Sequence, residues 1–175
     1  MRAAGISNVG ILGIIFSLFA YPWSLAVFLF RASSACAHKG RVGRKLARVL
    51  WRLNIFLCGC DIEVNAEIGP GFVLPHPVGV VIGNCKVGKN AAVFQHATLG
   101  AIRPRNIEFR NTKEFRPIIG DNVTVYAGAS VVGHINVGDN VTIGTNAVVI
   151  KDVPANSVAV GVPARVILNK TTSLS

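Results

Sequence analysis

The chain holds four histidines, His38, His76, His96 and His134. An imidazole titrates near neutral pH, so histidine is the side chain best matched to take a proton from a hydroxyl group and give it back. Its second ring nitrogen needs a partner, usually a carboxylate, that fixes the tautomer and stabilises the imidazolium. His76 stands between Pro75 and Pro77, which hold its backbone, and Asp61 precedes it by fifteen residues. The pair is expected to supply a catalytic base and its orienting acid. Gln95 and His96 are expected to line the place where the hydroxyl sits. His38 lies in a polar link without a nearby acid, and His134 sits inside a regular repeat as a turn or face residue. A zinc centre needs histidines converging on one ion. His76, His96 and His134 lie far apart with no closely spaced pair, so no metal is expected.

Residues so far apart must be positioned by a periodic scaffold. From Ile62 the sequence reads in sixes, IEVNAE, IGPGFV, LPHPVG; after a one-residue shift it continues from Val87 as VGKNAA and VFQHAT. The sixes return at Ile119 as IGDNVT, VYAGAS, VVGHIN, VGDNVT, IGTNAV and VIKDVP. Each opens on Ile, Leu or Val, and most carry a small or apolar residue at the fifth place. A six-residue period of this kind signals a parallel β-helix. The opener starts a short strand and points inward, and Gly or Asn takes the turn because both tolerate positive φ. No unit buries its face alone, so the stack is the core. The period-two alternation of an ordinary antiparallel strand is absent. Fifteen residues is close to one coil of a three-sided stack, which is expected to bring Asp61 and His76 to the same strip.

The stretch 61–165 resembles the serine acetyltransferases and related hexapeptide-repeat acyltransferases. The resemblance rests on Cys60-Asp61-Ile62, Pro75-His76, Gly79-Val80-Val81-Ile82-Gly83, the run from Phe94 to Gly100 (FQHATLG), and Gly161-Val162-Pro163-Ala164-Arg165. It implies a mainly β fold, a left-handed parallel β-helix with a short N-terminal helical segment. It also implies a homotrimer, acetyl-CoA as donor, and His76 with Asp61 as base and partner. It places Gly100, Ala127, Thr145 and the turn at Gly161 along a groove between subunits, where small side chains let backbone amides reach pantetheine. Arg165 and Lys151 are expected to meet the CoA phosphates.

Two departures bear on the acceptor. Pro75 stands where the family has an Asp that helps hold the serine amine, and Phe115-Arg116 stand where it has Arg-His before the proline. Arg116 is then the one cation left there to grip a carboxylate. A sugar hydroxyl needs neither charge, so the sequence points to O-acetylation of a lipid- or nucleotide-linked sugar in surface or exopolysaccharide biosynthesis. The alternative is serine O-acetylation for cysteine synthesis, and the third reading is a non-catalytic membrane-associated scaffold.

Charge divides the chain. Residues 1–60 hold eight Lys and Arg and no acid, whereas the rest holds ten basic and eight acidic residues. The repeat domain is nearly neutral, which excludes a nucleic-acid-binding role for it. Residues 3–30 carry no charge, and two short helices are expected at 9–20 and 22–33, lying on a membrane, spanning it, or packed in an oligomer. A third helix is expected at 41–57. Val42, Leu46, Val49, Leu50, Leu53, Phe56 and Leu57 form its apolar face, and Arg41, Arg44, Lys45, Arg48 and Arg52 form an opposite face that suits an anionic membrane surface. Cys36, Cys58, Cys60 and Cys85 show no disulfide framework, so reduced thiols in the cytoplasm are expected. The organisation is thus helices over 1–60, a β-helix over 61–168 with a loop at 101–117, and a polar tail from 169 to 175. The loop leaves the six-residue phase and carries five cations, a pattern expected of a functional or mobile segment, and the family resemblance implies that it reaches over the active site.

Overall fold

The computed structural model describes residues 21–101 and 115–168. The helix expected at 9–20, most of the cationic loop and the polar tail lie outside the described residues.

Helix α1 spans Pro22–Ala37 and helix α2 spans Gly40–Cys58. Helix α1 opens on a proline, which has no N–H to leave unpaired in the first turn. Helix α2 closes at Gly59, whose φ of 65° is the left-handed cap a glycine adopts without strain. The two helices pack together and onto the first coil. The Asn54 amide donates to the Ala26 carbonyl across 3.1 Å. The Arg31 guanidinium donates to the carbonyls of Ile68 and Gly69, and burial lowers its pKa. Arg31 therefore clamps the helices to the stack and does not belong to an outward basic flank.

The helix α2 packing face differs from the expectation. Its buried residues are Gly43, Ala47, Asn54 and Cys58, while Val42, Leu46, Val49, Leu53, Phe56 and Leu57 are exposed. Small residues at helical spacing let α2 approach closely, so the large apolar side chains point elsewhere.

From Asp61 the chain forms fourteen short strands: β1 (Asp61–Ile62), β2 (Glu67–Ile68), β3 (Val81–Ile82), β4 (Lys86–Val87), β5 (Ala92–Val93), β6 (Thr98–Gly100), β7 (Ile118–Ile119), β8 (Thr124–Val125), β9 (Ser130–Val132), β10 (Asn136–Val137), β11 (Thr142–Ile143), β12 (Val148–Val149), β13 (Ser157–Val160) and β14 (Arg165–Leu168). They make three sheets, ordered β1-β3-β6-β9-β12, β2-β4-β7-β10 and β5-β8-β11-β13-β14. All pairings are parallel except β13 with β14. This is the left-handed parallel β-helix, a three-sided prism. Thr124 pairs with Thr142 and Ser130 with Val148, so a regular coil takes eighteen residues, three sixes.

The repeat dictates the core. The openers Ile62, Ile68, Leu74, Val87, Val93, Leu99, Ile119, Val125, Val131, Val137, Ile143 and Val149 are all buried, each at 7% exposure or less. The fourth place takes the left-handed turn, held by Asn90, Asn122, Asn140 and Asn146 with φ of 56°. On the edge between the second and third sheets these turns form a ladder. Asn90 donates to Asn122, Asn122 to Asn140 and Asn140 to Asn156, over 2.9–3.1 Å.

The first coil breaks the rule. Asp61 pairs with Val81, twenty residues on, because the corner from Pro75 to Gly79 carries two extra residues. Val78 at the fifth place of its six is exposed there. The fifteen residues from Asp61 to His76 are thus less than a coil, and His76 sits in the turn that leads to the strand above Asp61. The prism is continuous on either side of residues 102–114: Thr98 pairs with Ser130 and Lys86 with Ile118.

Candidate active site

Most of the expected site residues fall on two edges of the prism, either side of the first sheet; Asp61 lies in β1 of that sheet and Arg165 in β14 of the third. The edge between the third and first sheets carries His76, Gln95, His96, Ala127, Thr145 and Gly161, one coil above another. The Gly79 N–H donates to the Gly59 carbonyl, His96 N–H to Val78, Gly128 N–H to Gln95, Asn146 N–H to Ala127, and Val148 N–H to Gly161, all within 2.8–3.1 Å. These bonds fix the vertical order of the edge. The other edge, between the first and second sheets, carries Gly100, Arg116, His134 and Lys151.

His76 is exposed and half faces Phe94, the ring centroids being 6.3 Å apart. Phe94 in turn stacks on Tyr126 at 5.1 Å and 25°. His76, Phe94 and Tyr126 thus form an aromatic ladder up this edge. His96 takes φ 59°, the turn conformation asparagines hold elsewhere, and its ring fills the space a Gly79 Cβ would need, 2.2 Å away. Gly79 is bare because His96 lies against it. The Gln95 Oε1 atom is buried and has no hydrogen-bond partner among the described residues, an acceptor awaiting a donor.

Asp61 opens the first sheet with its side chain half-buried. Its Oδ1 accepts a hydrogen bond from the Trp51 indole N–H at 2.8 Å, and no hydrogen bond joins it to His76 among the described residues. Trp51, Asp61, Glu63, Val64, Val81, Ile82 and Gly83 line a cleft of about 290 Å³. The Asp61 carboxylate is therefore held by helix α2 on one side and open to a cleft on the other. Trp51 is a site residue the sequence analysis missed; a tryptophan on a helix ten residues upstream gives no local sign of where its indole points. Phe94 and Tyr126 were missed for a different reason. They occupy the second place of their sixes, which faces outward and has no required residue type.

Arg116 does not stand free. It pairs with Glu67 at 2.9 Å and donates to the Asn84 side chain at 3.1 Å. Phe115 lies edge-on to His134, centroids 6.4 Å apart. A Cβ added at Gly100 would meet nothing within 4 Å, so the chain's own packing does not require glycine there. Gly161 takes φ 95° and opens the hairpin turn between β13 and β14. Lys151, Thr145 and Arg165 are exposed. Among the described residues no group of three His, Cys, Asp or Glu side chains gathers around a metal-sized space. The four cysteines are free, and burial pushes the Cys60 and Cys85 thiols up to about 12.

The chain is thus a three-sided hexapeptide-repeat β-helix with an exposed histidine on one edge. No profile of an established protein family matches the chain. Individual proteins do. The serine acetyltransferase of Helicobacter pylori is 39% identical over 151 residues, 86% of this chain and 84% of its own length. A crystal structure of Neisseria gonorrhoeae serine acetyltransferase in complex with serine superposes with a TM-score of 0.75 at 30% identity, covering 87% of this chain and 60% of that one. A serine acetyltransferase in complex with CoA superposes with a TM-score of 0.72 at 29% identity, covering 82% and 56%. The chain spans about half the length of several other curated relatives, 54% for that of Staphylococcus xylosus. It belongs to the serine acetyltransferase family.

Proposed function

We propose that the chain is an acetyl-CoA-dependent O-acetyltransferase with L-serine as acceptor. The match to the H. pylori serine acetyltransferase over most of both lengths carries this reading. The serine-bound and CoA-bound neighbours support both substrates. This reverses the preference for a sugar acceptor drawn from Pro75 and Phe115.

In the proposed reaction His76 takes the proton of the acceptor hydroxyl as its oxygen attacks the thioester carbonyl. Asp61 stabilises the imidazolium, as a carboxylate partner does. His76 then returns the proton to the departing CoA sulfur, so base and acid are one residue and the proton balance closes. The chain fits the donor: bare backbone at Gly100 and Gly161, a small side chain at Ala127, and cations at Lys151 and Arg165 for phosphates. These residues lie on both edges of the prism, which is why we place the site between copies of a homotrimer. One copy would offer the edge with His76, Gln95 and His96, and its neighbour the edge with Gly100 and Lys151.

A second reading has its own observation. Arg116 is already engaged by Glu67 and Asn84, so its grip on a carboxylate would cost those partners. A neutral sugar ring would instead stack against the exposed Tyr126, whose other neighbour on that edge is the half-buried Phe94. Transfer from acetyl-CoA, followed by thiol release with L-serine and with nucleotide- and lipid-linked sugars, tests both. We expect the highest kcat/KM with serine. A higher value with any sugar moves the acceptor assignment to the second reading, and no thiol release with any hydroxyl overturns the enzyme assignment.

A further inference from the structure

Helix α2 has three faces. On an ideal helix of about 3.6 residues per turn, each face is about a third of a turn from the next. One, made of Gly43, Ala47, Asn54 and Cys58, packs against the protein. The second is apolar and exposed: Val42 at 80%, Leu46 at 48%, Val49 at 53%, Leu53 at 40% and Phe56 at 85%. Leu57 extends it, giving a stripe about 22 Å long. The third holds Arg41, Arg44, Lys45, Arg48 and Arg52, all exposed. None of the five makes an ion pair among the described residues, where the ion pair is Arg116 with Glu67.

A stripe of large apolar side chains left in water needs a cover. Its charge decides which. A second copy of the chain offering the same face would set five cations against five, and residues 1–60 contain no acid to neutralise them. An anionic lipid surface satisfies both faces at once. The acyl boundary receives the apolar stripe, and the long Lys and Arg stems carry their charges up to the headgroups beside it. No helix among the described residues is long and apolar enough to cross a membrane, so the contact lies in the surface plane.

We propose that α2 is an in-plane anchor that seats the protein on an anionic bilayer surface through Val42, Leu46, Val49, Leu53 and Phe56, with Arg41, Arg44, Lys45, Arg48 and Arg52 on the headgroups. The inference does not depend on the acceptor or on catalysis. It separates two roles of one helix: small residues hold the fold, large ones hold the surface.

The test uses the full chain with vesicles of phosphatidylglycerol and phosphatidylcholine, and of phosphatidylcholine alone. Binding is read by co-sedimentation at low and high salt. One variant carries Leu46→Ser, Leu53→Ser and Phe56→Ser; another carries Arg44→Gln, Arg48→Gln and Arg52→Gln. All these positions are exposed, so circular dichroism and the thermal transition are expected to match the parent. Partitioning onto the anionic vesicles is expected to fall at least ~10-fold for each variant and to weaken with salt. Absence of binding by the parent at low salt overturns the proposal. Binding that survives either set of substitutions also overturns it, since another segment then makes the contact. So does a drop in molecular mass by light scattering for the serine variant with its vesicle binding intact, which would make the stripe a copy-to-copy interface.

Discussion

The stack of sixes and helix α2 use apolar periodicity in opposite ways. In the stack, every opener from Ile62 to Val149 is consumed inside the prism, each lying on the one a coil below. In α2 the most regular apolar stripe of the chain points away from the fold, and Gly43, Ala47, Asn54 and Cys58 make the contact. A parallel β-helix leaves no choice, because a three-sided coil has one inside. A helix has a full circle of faces, and its sequence reveals a stripe without saying what the stripe faces. Periodicity therefore predicts burial only where the architecture closes on itself.

The largest expected effect breaks this symmetry directly. Ile143→Ala removes a fully buried opener and is expected to cost about 2–5 kcal/mol of stability. Phe56→Ala removes a larger side chain from α2 and is expected to stay within about 0.5 kcal/mol, because that ring is exposed. Urea unfolding at matched protein concentration measures both. Equal losses would mean the stripe is buried in the assembled protein, and the contrast between the regions would fail.

Next is His76→Ala, expected to lower kcat at least ~10²-fold with little effect on CoA affinity, as for loss of a general base. His134→Ala, on the other edge of the prism, is expected to change kcat far less. Steady-state kinetics with isothermal titration of CoA separates the two. Near-normal turnover by the His76 variant would sink the proposed base.

The sequence made the three-sided stack readable because the buried aliphatic opener recurs in coil after coil. It also exposed the helix that ends at Gly59, whose glycine cap is a local signal. It did not expose the extra residues in the corner from Pro75 to Gly79. Proline and glycine there fit a normal turn by type, and only the pairing of Asp61 with Val81 reveals the length. The engagement of Arg116 by Glu67, forty-nine residues away, was hidden for a related reason: Arg116 precedes the restart of the repeat, and Glu67 holds an outward place of strand β2 where the repeat requires no residue type. Site residues on the edges are legible by type, and their partners are not.

A smaller effect concerns pH. Burial pushes the Cys85 thiol from 9.0 up to about 12. The unfolded thiol ionises near 9, so above that pH the unfolded chain binds fewer protons than the folded one and stability falls as pH rises toward 12. The slope is at most about 1.4 kcal/mol per pH unit for this thiol. Cys85→Ala is expected to flatten the decline in urea midpoint above pH 9. An unchanged slope would show that Cys85 is not the source.

The smallest effect tests whether the two regions meet at Asp61. The Trp51 indole donates to Asp61 Oδ1 from helix α2, so a helix residue holds the carboxylate at the start of the first sheet. Trp51→Phe keeps an aromatic ring and removes the N–H. Loss of one hydrogen bond of this kind is worth about 1 kcal/mol, so kcat is expected to fall about 3- to 10-fold with the thermal transition little changed. A structural role alone would act independently of the acid. If Trp51 works by positioning Asp61, Trp51→Phe combined with Asp61→Asn should be no slower than Asp61→Asn alone, a non-additive cycle. Additive losses would show that Trp51 supports the helix contact and leaves the carboxylate's orientation to the cleft.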